Sequence, residues 1–99
     1  MTEFSIVIPV YGNEENIPSL VSRLNGLMED LPTNTEVVFV VDGSPDGSYA
    51  ALAAALPGAR FRSQLLQHSR NFGSFAAIRS GMAAARGEAI GVIDRKSVV

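Results

Sequence analysis

Four short segments rich in apolar and β-branched residues alternate with segments of helical spacing, and this alternation constrains the fold more than any other feature of the chain. The four segments are FSIVIPV (4–10), EVVFVVD (36–42), ARFRSQLLQH (59–68) and EAIGVID (88–94). Strands that are apolar almost without interruption are typical of parallel sheets buried on both faces. The third segment is less regular, which predicts a more exposed strand near an edge. The sequence therefore predicts an α/β fold with helices on both faces of a parallel sheet.

Helical spacing predicts three helices between the strands. The first covers about 13–30, where apolar residues recur three and four positions apart. At the start of the second, Ser44, Pro45 and Asp46 are typical of an N-cap, a first helical position and an acid in the first turn. The third covers about 74–86 and ends before a glycine. Its apolar face is expected to consist of Phe75, Ile78 and Met82.

Right-handed crossovers make this arrangement a Rossmann-like sheet, for which the common strand order is 3-2-1-4. Ligands of such sheets bind at the carboxyl ends of the strands. Asp42 directly follows the second strand, so we expect an unpaired, hydrated carboxylate there that awaits a polar ligand. The alternative is a turn residue that caps its own loop. The other residues at predicted strand ends are Pro9, Tyr11 and Asp94.

Composition and charge exclude several classes of function. The 99 residues suffice for one domain, and 46% hydrophobic with 18% charged residues is a globular composition. A net charge of −2 without a basic stripe argues against nucleic acid as a partner. The absence of cysteine excludes disulfides and thiolate metal sites. Neither a signal peptide nor an apolar run of roughly 18 residues is present, so we expect a cytoplasmic, soluble chain.

The loops after the first and second strands contain side chains that suit a nucleotide. Tyr11 could stack on a planar ring, and Glu14 or Glu15 could bind a base or a ribose. The alternative for both glutamates is that they complement the positive end of a helix dipole, and the same explanation is favoured for Asp46. Neither GxGxxG nor GxxxxGK[ST] occurs, so the usual dinucleotide and P-loop motifs are missing.

The segment HSRNFGSF (68–75) precedes the third helix. Arg70, together with the helix N-terminus, could bind a diphosphate through its guanidinium and backbone N–H groups. Phe72 and Phe75 are expected in the core. His68 has no evident acid or serine partner in the sequence and is expected to be a structural histidine.

Three segments in this order resemble family 2 glycosyltransferases of the polyprenyl-phosphate sugar synthase branch, which includes dolichol-phosphate mannose synthases and bacterial undecaprenyl-phosphate glycosyltransferases. The segments are SIVIPVYGNEENIPSLVSRL, EVVFVVDGSPDGSYAAL and SRNFGSFAAIRSGMAAARGEAIGVID. The second is similar to the family pattern VDDGSxDGS, and the third ends on the first aspartate of a D-x-D motif. The resemblance covers nearly all of 4–94 and implies the N-terminal half of a GT-A type nucleotide-sugar-binding domain.

The resemblance also implies roles for individual residues. Pro9, Tyr11 and Asp42 would bind the nucleoside of a UDP- or GDP-sugar. Asp94 would lie near the ribose and diphosphate and act as a ligand of Mg²⁺ or Mn²⁺, while Arg70 would lie near the donor pocket. An inverting transfer to a polyprenyl phosphate would follow, and because that nucleophile is already anionic, it needs little base catalysis.

Three positions depart from the family pattern. Asn13 replaces a glutamate, so either Glu14 takes over its contact or that contact is lost. Val41 replaces the first aspartate of VDDGS and is expected to face the other side of the sheet. Lys96 replaces the second aspartate of D-x-D, the family's metal ligand.

We expect residues 1–94 to be a partial nucleotide-sugar-binding domain and residues 95–99 to be a non-native tail from read-through into foreign DNA. The acceptor-binding half and the membrane helices of many relatives would then be missing, and the 99-residue chain would be inactive. Membrane association, at the cytoplasmic face, would belong to the missing C-terminal part of the parent protein. The alternatives are a non-catalytic α/β nucleotide-binding or receiver-like domain, and an unstable truncated fragment.

Overall fold

The computed structural model of the chain describes residues 2–12, 14–31 and 34–93. Its strands, all paired in parallel, have the order β3-β2-β1-β4, as predicted. The strands are β1 (Phe4–Val10), β2 (Thr35–Val41), β3 (Arg62–Gln67) and β4 (Ala89–Val92). The helices are α1 (Ile17–Met28), α2 (Ser48–Ala55) and α3 (Ser74–Ala84), with short 3₁₀ turns at Glu14–Asn16 and Leu56–Gly58.

The central strand β2 is buried along its whole length, which explains its unbroken run of apolar residues. On one face, Val37, Phe39 and Val41 pack in a core cluster with residues of α1 and α2. On the other face, Val38 and Val40 pack with Ala77 of α3. The predicted helices on both faces and the predicted exposed position of β3 at an edge are thus confirmed.

The face by which α3 packs on the sheet differs from the prediction. Phe75, expected in the core, is 85% exposed, and Met82 is also exposed, whereas Ala77 and Gly81 are buried. A Cβ atom at Gly81 would overlap Cγ1 of Val7 in β1. The helix therefore lies so close to the sheet that only small residues fit between the two, and the large apolar residues point away.

The start of α2 also differs from the prediction. The helix begins at Ser48 rather than near Ser44, because residues 44–47 form a loop whose polar groups bond to the loop after β1. Asp46 still performs the structural role expected of it. Its Oδ1 accepts hydrogen bonds from the backbone N–H of Ser48 at 3.0 Å and from the Ser48 hydroxyl at 2.6 Å.

A buried polar network joins the amino ends of the strands to the end of α3. The carboxylate of Glu36 accepts hydrogen bonds from Ser5 Oγ (2.6 Å), Gln64 Nε2 (3.0 Å) and the backbone N–H of Arg86 (2.6 Å). Ser5 Oγ in turn accepts one from the backbone N–H of Gly87 at 2.8 Å. Burial raises the pKa of Glu36, but these hydrogen bonds outweigh burial and hold the pKa below its ordinary value.

None of the helices in the described part of the chain has the length and apolar character needed to cross a bilayer.

Candidate functional site

The carboxyl ends of three neighbouring strands form one rim of the sheet, called here the carboxyl rim. The N–H of Asp42 donates to the carbonyl of Val10 at 2.9 Å, and the N–H of His68 donates to the carbonyl of Val41 at 2.9 Å. Tyr11, Asp42 and His68, which follow β1, β2 and β3, therefore lie at the same rim. Pro9 lies within β1, in register with Val40. A nucleoside contact shared by Tyr11 and Asp42 stays a prediction.

Asp42 is not the unpaired, hydrated carboxylate that the sequence suggested. Its residue is only 4% exposed. Oδ1 accepts hydrogen bonds from Nδ1 of His68 (2.8 Å) and from the N–H of Phe72 (3.0 Å), while Oδ2 accepts one from the N–H of Gly73 (2.9 Å). These donors occupy three of the about four acceptor positions that a carboxylate offers. The alternative interpretation as a cap is partly correct, but the loop that Asp42 caps is the one after β3.

These donors decide the charge of Asp42. Burial raises the pKa of this carboxyl, but the N–H groups of Phe72 and Gly73 and the His68 imidazole stabilise its charged form more strongly. The pKa therefore lies below its ordinary value, and the carboxylate is ionised at neutral pH.

The expectation that His68 has no acid or serine partner was wrong. Its Nδ1 contacts Asp42, and its Nε2 lies 2.8 Å from Oγ of Ser80 in α3. The contact with Asp42 could have been predicted, because the strand order 3-2-1-4 places the ends of β2 and β3 side by side. Ser80 lies within α3 between Arg79 and Gly81, and nothing in its local pattern indicates this contact.

The loop from Arg70 to Gly73 covers the ends of β2 and β3. Gly43 has a φ of +64°, and a Cβ atom there would overlap the backbone carbonyl carbon of Arg70, so the loop passes directly over this glycine. Phe72, predicted in the core, is 52% exposed. Its ring meets the His68 ring edge-on at 5.5 Å, and the Arg70 guanidinium lies 5.2 Å from its centroid.

Hydrogen bonds fasten the loop after β1 to the loop after β2, an arrangement called here the loop clasp. Gly12 donates its N–H to Ser44 Oγ at 2.9 Å, and Glu14 donates its N–H to Asp46 Oδ2 at 3.2 Å. In the reverse direction, Gly47 donates its N–H to Glu14 Oε1 at 2.8 Å. Glu14 thus has a structural contact at the position where the sequence suggested a ligand contact, and its binding role stays a prediction.

Asp46 is strongly acidic in this clasp. Hydrogen bonds from the hydroxyls of Ser44 and Ser48 hold the pKa of its carboxyl far below the ordinary range. A permanently charged group at this place complements the amino end of α2.

Among the described residues, no group of three or more His, Asp or Glu side chains is placed to hold a metal ion by itself. The oxygens of Asp42 and Asp46 accept N–H and O–H donors of the protein instead. Asp94, the predicted metal ligand, lies outside the described residues, as does Lys96.

Comparison with known proteins agrees with the fold and the motif order. The family model of Glycosyl transferase family 2 matches residues 5–95, and the chain belongs to that family. This membership decides against a receiver-type domain. Asp42, Arg70 and the other candidate residues lie within the matched range.

Individual relatives point the same way. The chain is 40% identical over 92 residues to the undecaprenyl-phosphate 4-deoxy-4-formamido-L-arabinose transferase of Aeromonas hydrophila, an alignment of 91% of this chain and 28% of that protein. The chain therefore spans little more than a quarter of this relative's length.

Two solved structures share the fold. Staphylococcus aureus TarS (residues 1–349) in complex with UDP-GlcNAc superposes with a TM-score of 0.79 at 25% identity, over 94% of this chain and 26% of that one. The mannosyltransferase PcManGT of Pyrobaculum calidifontis, in complex with GDP-Man and Mn²⁺, gives a TM-score of 0.80 at 23% identity, over 93% and 27%. The predicted Rossmann-like, GT-A type fold is confirmed.

Proposed function

We propose that this chain forms the nucleotide-binding part of a glycosyltransferase that transfers a sugar from a UDP- or GDP-sugar to a polyprenyl phosphate. The observation that carries the proposal is the position of Tyr11 and Asp42 on neighbouring strands of one rim, beside an exposed arginine. The name of the Aeromonas relative supports the polyprenyl-phosphate acceptor, and the ligands of TarS and PcManGT support the donor class.

In this proposal the candidate residues have complementary roles. Pro9 and Tyr11 form the nucleoside side of the site. Asp42 offers its remaining acceptor position to a ribose hydroxyl or a base N–H. Arg70 is exposed next to the amino end of α3, and a guanidinium in that place suits a diphosphate. Glu14 holds the loop clasp and is a secondary candidate for a ribose contact.

We also propose that the site binds a divalent cation, Mg²⁺ or Mn²⁺, through residues outside the described ranges. Asp94 is the candidate ligand, and the Mn²⁺ in the PcManGT complex supports a cation in the family's fold. No chemical step is assigned to the cation, because its candidate ligand lies outside the described residues.

We further propose that residues 1–94 are the native part of a longer protein that acts at the cytoplasmic face of a membrane, and that residues 95–99 are a foreign tail. The 28% coverage of the Aeromonas relative supports a longer parent protein. The acceptor must approach the anomeric carbon from the side opposite the diphosphate, which requires surfaces beyond this sheet. We therefore expect the 99-residue chain to bind nucleotides without turning over donor sugars.

Nucleotide titration tests this function. We expect saturable binding of UDP or GDP by the 99-residue chain, measured by calorimetry or by amide chemical-shift changes. Arg70→Gln should weaken UDP or GDP binding by roughly tenfold, the size of one charge-assisted hydrogen bond, and should leave nucleoside binding unchanged. Arg79→Gln, an exposed arginine on α3, is the matched control. Equal losses for both variants, or no binding of either nucleotide, would overturn the assignment.

A turnover assay completes the test. The purified chain, incubated with UDP- or GDP-sugars, Mn²⁺ and a short polyprenyl phosphate, should yield no glycolipid. A longer gene product that contains residues 1–94 should yield it. Product from the 99-residue chain would refute its predicted inactivity, and no product from the longer protein would refute the proposed reaction.

A further inference from the structure

A chain of hydrogen bonds runs through three elements behind the carboxyl rim. Ser80 Oγ of α3 lies 2.8 Å from His68 Nε2, and His68 Nδ1 lies 2.8 Å from Asp42 Oδ1. The ionised carboxylate of Asp42 can only accept, so Nδ1 of His68 is the donor. In the neutral imidazole Nε2 is then the acceptor, and the Ser80 hydroxyl donates to it. These contacts fix the tautomer and the orientation of the ring.

The order serine, histidine, aspartate resembles a nucleophilic triad, but its surroundings do not support that chemistry. Ser80 lies inside α3, where the backbone N–H groups bond to carbonyls one turn earlier. Such groups are not available to stabilise an oxyanion, which is a main requirement of acyl transfer. The chain of contacts is better suited to holding a carboxylate in place.

Both His68 and Asp42 contact the loop that carries Arg70. Asp42 accepts the N–H groups of Phe72 and Gly73, and the His68 ring packs edge-on against Phe72. The Arg70 guanidinium in turn lies over the Phe72 ring. The position of Arg70 therefore depends on Phe72, which depends on Asp42 and His68.

We propose that His68 is a positioning residue for donor binding: anchored by Ser80, it orients Asp42 and thereby holds the 70–73 loop with Arg70 in place. The proposal rests on the proposed nucleotide-binding function. His68 itself touches no ligand in this arrangement. Without its Nδ1–H, Oδ1 of Asp42 loses one of two donors, and the carboxylate can rotate away from the N–H groups of Phe72 and Gly73.

Two substitutions separate the donor at Nδ1 from the bulk of the ring. In His68→Asn, the amide nitrogen can occupy the place of Nδ1 and donate to Asp42. In His68→Gln, the amide reaches the place of Nε2, near Ser80, and the donor to Asp42 is lost. Both variants lose the ring contact with Phe72, so the difference between them isolates the hydrogen bond.

Amide hydrogen exchange reports the loop without any ligand. We expect exchange at Phe72 and Gly73 to be about tenfold faster in His68→Gln than in His68→Asn, the effect of one charge-assisted hydrogen bond. Ser80→Ala, which keeps the imidazole, should accelerate the same amides by about threefold, since only a neutral hydrogen bond is lost. In the unsubstituted chain, nitrogen-15 shifts of the imidazole should show the Nδ1–H tautomer.

UDP or GDP affinity, for whichever nucleotide the unsubstituted chain binds, gives the second result. It should fall by roughly tenfold in His68→Gln and clearly less in His68→Asn. Equal exchange rates and equal affinities in the two variants would overturn the positioning role, as would the Nε2–H tautomer. If the unsubstituted chain binds neither UDP nor GDP, the proposed function fails, and the exchange rates still decide whether His68 orders the loop. If His68→Gln does not fold, Ser80→Ala and the tautomer decide.

Discussion

Individual residues at the carboxyl rim show what sequence patterns can and cannot predict. The end of β2 and the resemblance both indicated Asp42, because a carboxylate directly after a buried strand is conspicuous. Its partners come from residues more than 25 positions away, and such pairings depend on how loops cross rather than on local spacing. Of these partners, only His68 could be expected near Asp42 from the predicted strand order. Whether Asp42 also binds a nucleoside stays a prediction.

Replacement of Asp42 tests its structural contribution. In Asp42→Asn the amide NH₂ must face one of the N–H donors, which leaves a buried donor unsatisfied. We expect the free energy of unfolding to fall by about 1–3 kcal/mol, measured by urea denaturation. Asp30→Asn, an exposed acid after α1, should change it by less than about 0.5 kcal/mol. A similar small change for Asp42→Asn would contradict the hydrogen-bonding pattern.

Glu36 makes stability depend on pH. Its folded-state pKa lies below the ordinary value of 4.5, so its ionised form is favoured by folding. The resulting stabilisation is fully present above pH 4.5 and is lost as the pH falls through the lower folded-state pKa. Urea unfolding at a series of pH values should show a weaker acid dependence for Glu36→Gln than for the unsubstituted chain. Parallel curves would show that Glu36 does not contribute in this way.

At the scale of elements, the strands were predictable and the helix faces only partly so. β-branched runs separated by helical segments predict a parallel α/β sheet with right-handed crossovers, and 3-2-1-4 is the common strand order of such a sheet. The orientation of α3 was not predictable from its large apolar residues, because the helix packs through Ala77 and Gly81. Small residues bury little apolar area and leave a weak pattern, yet they allow the closest contact between a helix and a sheet.

Two glycines in helices provide a matched test of this packing. Gly81→Ala would place a methyl group against Val7 in the core, and we expect a loss of about 1–3 kcal/mol in unfolding free energy. Gly26→Ala in α1 meets no atom within 4 Å and should stabilise the chain by about 0.5–1 kcal/mol through helix propensity. Thermal and urea unfolding measure both. Stabilisation by both substitutions would show that α3 lies further from β1 than this structure indicates.

At the scale of the whole molecule, β4 is the terminal strand of the described sheet and is largely exposed. Ile90 and Val92 on this strand are exposed, and so are Phe75 and Met82 on α3. An exposed apolar strand at the edge of a sheet is a site for pairing between chains. The 99-residue chain should therefore associate with itself as its concentration rises.

A lysine at this edge should oppose the association. Val92 is 43% exposed, and Leu27 on α1 is 41% exposed, so Val92→Lys and Leu27→Lys change charge and exposed apolar area alike. Sedimentation analysis should show weaker association for Val92→Lys and unchanged association for Leu27→Lys. The same weakening in both variants would trace the association to general hydrophobicity rather than to the strand edge.

The loop clasp affects how a nucleotide would be recognised. Because Gly12, Glu14, Ser44 and Asp46 are already bonded to one another, the loops after β1 and β2 lose their conformational freedom during folding. The entropic cost of ordering these loops is incurred during folding and is not incurred again when a ligand binds. Binding of the proposed nucleotide at these two loops would therefore be closer to docking on a rigid surface than to closure around a ligand.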